Sequence, residues 1–163
     1  MTSMIDRLLE HDRFTTSMLL DMCHGLSDDQ LDVPFDVGHA TLRSGLGHMI
    51  HVVRLWKLLM EGKPVPQAPE KQSLSAMRKD HKRDFAAYAT LARRLHDEHR
   101  LDETFVDHHG HAQTFGGTIL QVAMHNQQHR IEAFHIMKRL GITHDHDGGP
   151  QEWEHMTGRI PAN

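Results

Sequence analysis

The sequence predicts an all-α fold: an up-and-down four-helix bundle with a short hairpin or loop insertion before the last helix. Three observations carry this. Apolar residues recur at spacings of three and four through four long segments. Short connections rich in glycine and proline separate those segments, which sets consecutive helices side by side and antiparallel. One stretch, 101–115, breaks the helical period and contains strand formers. A chain of 163 residues is long enough to bury a real core as one domain. Residues 1–141 are assigned to the bundle. Residues 142–163 are assigned to a C-terminal tail packed on it or extending from it.

The first helix spans 4–25. Ile5, Leu8, Leu9, Met18, Leu19, Leu20 and Met22 supply its apolar positions, and Gly25 offers a stop. Its charges at Asp6, Arg7, Glu10, Asp12 and Arg13 are expected mostly to face water. Ser27 caps one extra turn through Leu31, and Pro34 and Gly38 mark 32–39 as a loop. The second helix runs from an N-cap at Thr41 to Met60, with a wide apolar sector suited to packing on two sides. Three prolines make 62–72 a connector. The third helix runs from Ser73 to about His99, with Leu74, Met77, His81, Phe85, Tyr88, Leu91 and Leu95 turned inward. Thr104, Phe105 and Val106 favour a strand, and His109-Gly110 a turn, so 101–115 is read as a hairpin. The last helix starts near Gly117-Thr118 and ends at Gly141, after Lys138 and Arg139, whose charges suit a C-terminus.

Composition excludes several roles. Lys+Arg 18 against Asp+Glu 22 gives a net charge of −4 without a basic stripe, which argues against a nucleic-acid partner. No stretch approaches the roughly 20 apolar residues of a membrane span. The N-terminal stretch lacks an apolar signal core. The single cysteine, Cys23, forms no internal disulfide and reads as a core residue. A cytoplasmic setting is expected. The abnormal count is 17 histidines, which makes net charge sensitive to pH near neutrality.

Two of those histidines, His125 and His129, lie four residues apart in a helical segment, MHNQQHR. About one turn separates them, so both imidazoles leave one face. One transition metal ion can take a nitrogen from each, and His48, mid-helix among apolar neighbours, is the best third donor. Three imidazoles on one ion leave positions open, the pattern of catalytic sites. Asn126 follows His125, so the segment is not HExxH and lacks that motif's built-in base. Glu132 and His135 match the ExxH spacing of di-iron bundles, but the second helix carries glutamate only at its end, Glu61. Glu132 can orient a ligand histidine from behind. Arg130 reads as an anchor for an anionic group or as a helix-surface ion pair. His108, His109 and His111, with His144 and His146, read as solvated loop residues. Trp56 and Trp153 read as packing residues.

The segments GHMIHVVRLW, around His48, and LQVAMHNQQHRIEAFHIMKRLG, around His125 and His129, resemble the second and last helices of the DinB-like superfamily. The hairpin and the helix order match as well, so the resemblance covers most of residues 1–141. It implies a bundle with a three-histidine metal site, and hence His48, His125 and His129 as ligands. Ile131-Glu132 stand here where the family more often has glycine-glutamine. The resemblance also implies a homodimer and, for some members, thiol-dependent transfer or isomerisation.

The expected function is therefore that of a metal-dependent enzyme acting on a small molecule: a thiol-dependent transferase or isomerase, or a hydrolase. The ion would be one divalent transition metal, zinc or nickel first and iron next. The competing readings are a non-catalytic metal- or ligand-binding protein and a stress-associated interaction module. A fourth protein ligand sealing the site would favour the non-catalytic role.

Overall fold

The computed structural model describes residues 2–146 and 148–160. Asp147 and residues 161–163, parts of the tail assigned above, lie outside the described residues. Four long helices dominate: α1 (Met4–Met22), α3 (Leu42–Met60), α4 (Leu74–Asp97) and α5 (Phe115–Arg139). A one-turn helix, α2 (Asp28–Leu31), follows α1. The hairpin β1 (Thr104–Val106) and β2 (Ala112–Thr114) precedes α5, and α6 (Pro150–Met156) closes the described chain. Around the bundle, α1 and α3 each pack against both α4 and α5. Among the described residues no helix is long and apolar enough to cross a membrane.

Local chemistry sets the boundaries. Ser3, Ser27, Thr41, Ser73 and Thr114 each accept a backbone N–H of the first turn, at the starts of α1 to α5. Ser3 and Ser27 complete capping boxes with Asp6 and Gln30. The last long helix starts earlier than expected. The Thr114 hydroxyl caps Gly117 N–H, so Gly116 and Gly117 lie inside the first turn rather than before it. In the hairpin Phe105 pairs with Gln113, and Gly110 takes a φ of 83° at the turn. Asp107 organises that turn by accepting the backbone N–H groups of His109 and His111 and the Gln113 amide.

The tail holds a helix that periodicity missed. α6 lays Trp153, 3% exposed, against α1, with the His11 ring edge-on at 5.6 Å and the Arg159 guanidinium 4.2 Å from the indole. His11 Nε2 also meets the Gly148 carbonyl at 2.9 Å.

The apolar core is in two parts. One gathers Leu19, Leu20, Leu46, Met49, Met77 and Met137; the other gathers Leu9, Val53, Phe85, Tyr88, Ile119 and Val122. Between them along three of the long helices lie polar residues: Asp12, Thr15 and Thr16 on α1, His81 on α4, and His125 to Arg130 on α5; on α3, His48 lies beside Leu46 and Met49 of the first part. Asp12 corrects the expectation of a solvated charge, since it is 2% exposed. It points inward because buried donors on α5 meet it there.

Candidate metal centre

The polar layer has two sides, and α5 faces both. His125 and His129 occupy one face. Asn126 and Arg130 each come one residue later, about 100° around the axis. The second pair turns to α1. Asn126 Nδ2 donates to Asp12 Oδ2 at 2.9 Å, and Arg130 Nη1 pairs with Asp12 Oδ1 and donates to Thr16 Oγ1 at 3.0 Å. Arg130 Nη2 donates to Gln127 Oε1 at 2.8 Å. Arg130 is 1% exposed, so it is neither a substrate anchor nor a surface ion pair. It locks the rotation and register of α5 against α1. The network is not fully satisfied: Asn126 Oδ1 and Arg130 Nε find no partner among the described residues.

With α5 held in that rotation, the histidine pair faces α3. His125 Nε2 lies 3.0 Å from His48 Nε2 and 3.1 Å from His129 Nε2. Two imidazole nitrogens sharing one ion at about 2.0–2.1 Å stand about 3 Å apart, so the His48–His125 and His125–His129 pairs each have the spacing of two donors to one transition metal ion. Their protonation fits as well. Burial, and then the neighbouring imidazoles led by His39, pushes His48 down to about 3. The same two causes lower His125, where burial and then His129 act. Both rings are thus neutral near pH 7, as ligands must be.

Glu132 stands where the sequence expected an orienting carboxylate. Its Oε2 lies 2.5 Å from His129 Nδ1. That contact assigns the proton to Nδ1 and leaves a lone pair on Nε2, facing the other rings. Burial works to raise the Glu132 carboxyl, but hydrogen bonds from His129 and Gln128 outweigh it and hold it below its usual value.

His39 was not expected here. One ring nitrogen each of His39, His48 and His129 lies within 4.8 Å of the others, a cluster that could hold a metal ion. The His39 ring sits 3.9 Å from that of His48 and 5.0 Å from that of His129, centre to centre. It belongs to the loop before α3, so helical spacing carried no signal for it. The available hint was its place two residues before the Thr41 cap of the His48 helix.

A cavity of about 470 Å³ opens beside the cluster, reaching His39, His48, His51, Ser44 and Lys71. Arg43, 5% exposed, holds its walls together. Its guanidinium donates to Asp32 at 2.6 Å and to the Gln72 carbonyl at 2.8 Å, and pairs with Asp28. The first turn of α3, α2 and the 62–73 connector are thereby fastened at one point.

The remaining histidines stay outside this site. His108, His109 and His111 are exposed, with the first two rings 4.0 Å apart. The His144 ring lies tilted against Phe134 at 4.7 Å, and His146 Nδ1 meets Glu152 at 2.8 Å; Asp147, beside them, lies outside the described residues. Exposed His135 does not join Glu132 in any cluster found among the described residues. Cys23 is fully buried and its thiol is pushed up to about 12 by burial, which suits a core residue and not a nucleophile.

A family model described as the DinB superfamily matches residues 11–133, a span that holds all four clustered histidines and both sides of the polar layer. The chain belongs to that superfamily. No curated protein is found to match it.

Proposed function

We propose that this DinB superfamily protein is a metal-dependent enzyme whose ligands are His48, His125 and His129. The observation that carries the reading is His125 Nε2 lying 3.0 Å from that of His48 and 3.1 Å from that of His129, with Glu132 setting the tautomer of one ring. Zinc, nickel or iron suits such donors. Once bound, the ion would lower the pKa of a thiol or of water held next to it. That supports two chemistries: thiol-dependent transfer or isomerisation, and hydrolysis. The cavity beside His48 has the volume for a small-molecule substrate or thiol cofactor. Ser44, Lys71 and His51 on its wall supply polar contacts for orientation.

A homodimer belongs to the same reading. Leu120, Met124 and Ile131 are 53%, 53% and 56% exposed on one outward face of α5, a surface apolar enough to meet a second copy. A second reading, a non-catalytic metal- or ligand-binding protein, has His39 in its favour, because a fourth imidazole would close the site.

The test is elemental analysis of protein prepared without an affinity tag. The wild type is expected to carry near-stoichiometric metal, and the double variant His125→Ala with His129→Ala to lose it. Equal metal in both would assign binding to the surface histidines and remove the basis of the proposal.

A further inference from the structure

We propose that His39 is a fourth ligand of the ion, and one that leaves to admit an incoming ligand from the cavity. The inference rests on the metal reading above and adds a role for a residue outside the HxxxH pattern. Three observations carry it.

The first is distance: a ring nitrogen of His39 lies within 4.8 Å of one each from His48 and His129. The second is position. His39 and His48 line the cavity, whereas His125 and His129 are not on its wall. A group arriving from that side meets His39 and His48 before it reaches His125 or His129. The third is the backbone that carries the ring. Gly38, with φ 53°, and Ala40, with φ 65°, bracket His39, and both lie in the left-handed region. Ala40 is there without the freedom of glycine. Short hydrogen bonds close the loop, with Phe35 N–H donating to the Ala40 carbonyl at 2.6 Å and Ala40 N–H to the Val37 carbonyl at 3.0 Å.

The loop is also seated on the site's own carboxylate. A Cβ added to Gly38 would lie 2.3 Å from Glu132 Oε2, the atom that holds His129. The seat therefore places His39 against the triad, while the left-handed residues on either side are where the loop can turn to carry the ring away. The helical histidines have no such freedom: α5, which carries His125 and His129, is locked by Asp12 and Arg130, and His48 sits mid-helix on α3. If one donor must yield its place, the geometry selects the one on the loop. The site would be four-coordinate at rest and open during use, which reconciles a sealed resting centre with an adjoining cavity.

Cobalt(II) tests this, because its visible absorption is intense in four-coordinate sites and weak at higher coordination. Metal-free wild type, His39→Ala and His129→Ala are titrated with cobalt, and each loaded sample is then titrated with 2-mercaptoethanol. The thiol gives its proton to buffer on binding and produces a sulfur-to-cobalt charge-transfer band. The expected result is intense absorption for wild type and, with water in place of the lost imidazole, a band of different position and intensity for His39→Ala. The thiol band should appear at about tenfold lower thiol concentration in His39→Ala, as for a site whose competent state is a minor population in wild type.

Matching spectra and thiol titrations in wild type and His39→Ala, with cobalt binding lost in His129→Ala, would overturn the role of His39 and leave the metal reading standing. Intense wild-type absorption with no thiol band at any concentration would refute release. Failure of the wild type to bind cobalt at all would remove both proposals.

Discussion

Replacing Arg130 with methionine tests the claim that the polar layer between the two cores sets the rotation of α5. The change keeps much of the side chain's length and volume but removes its pairing with Asp12, its bond to Thr16 at 3.0 Å and its bond to Gln127 at 2.8 Å. Asp12, 2% exposed, then keeps only Asn126 as a charge-relieving partner. Leaving one member of a buried ion pair uncompensated costs about 3–5 kcal/mol. For a chain of this size each kcal/mol moves the melting temperature by about 2–4 °C, so Arg130→Met should melt about 6–20 °C lower. The double variant Asp12→Leu with Arg130→Met removes both charges together. Its remaining cost is chiefly the orphaned Asn126 amide, about 1–3 kcal/mol, so it should be more stable than the single variant. Urea denaturation followed by circular dichroism, run as a double-mutant cycle, measures all three. A cost for Arg130→Met below about 1 kcal/mol, or a double variant that costs the sum of the singles, would refute the argument.

Three further outcomes are expected. Glu132→Gln keeps the shape behind His129 but removes the charge; metal affinity measured by chelator competition should fall about 10–100-fold, and an unchanged affinity would deny Glu132 its orienting role. Gly38→Ala meets both a left-handed backbone and Glu132 Oε2, so a stability loss of about 1–2 kcal/mol is expected, together with weaker metal binding as the carboxylate is displaced; a variant like wild type in both would show that the loop is not seated there. In metal-free protein, burial is the main cause lowering His11, His48, His81 and His125 below 6.5, so the unfolded chain takes protons first as pH falls. Their stabilisation is complete above about 6.5 and is lost toward about 3, where folded His48 takes its own proton. The slope is at most about 1.4 kcal/mol per pH unit for each imidazole, and less for partly exposed His48. Urea midpoints that stay flat between pH 7.5 and 5 would contradict it.

The amino-acid pattern by itself determined the helices, because burial of an apolar stripe and capping of a first turn are local matters. Leu42, Leu46, Met49 and Val53 mark the inner face of α3, and Ser27, Thr41 and Ser73 sit at helix starts, where their hydroxyls bond N–H groups three residues on. The spacing of His125 and His129 placed two rings on one face for the same reason. Tertiary structure alone decided what met them. His39 lies on a loop, where no period places a side chain, and it reaches the cluster through left-handed residues on either side of it. Asp12 and Arg130 look like surface charges on their own helices. They are buried because each neutralises the other across 118 residues of sequence, a compensation no local window contains. The tail helix was hidden likewise, since Trp153 finds its partners on α1 and not in its own short turn.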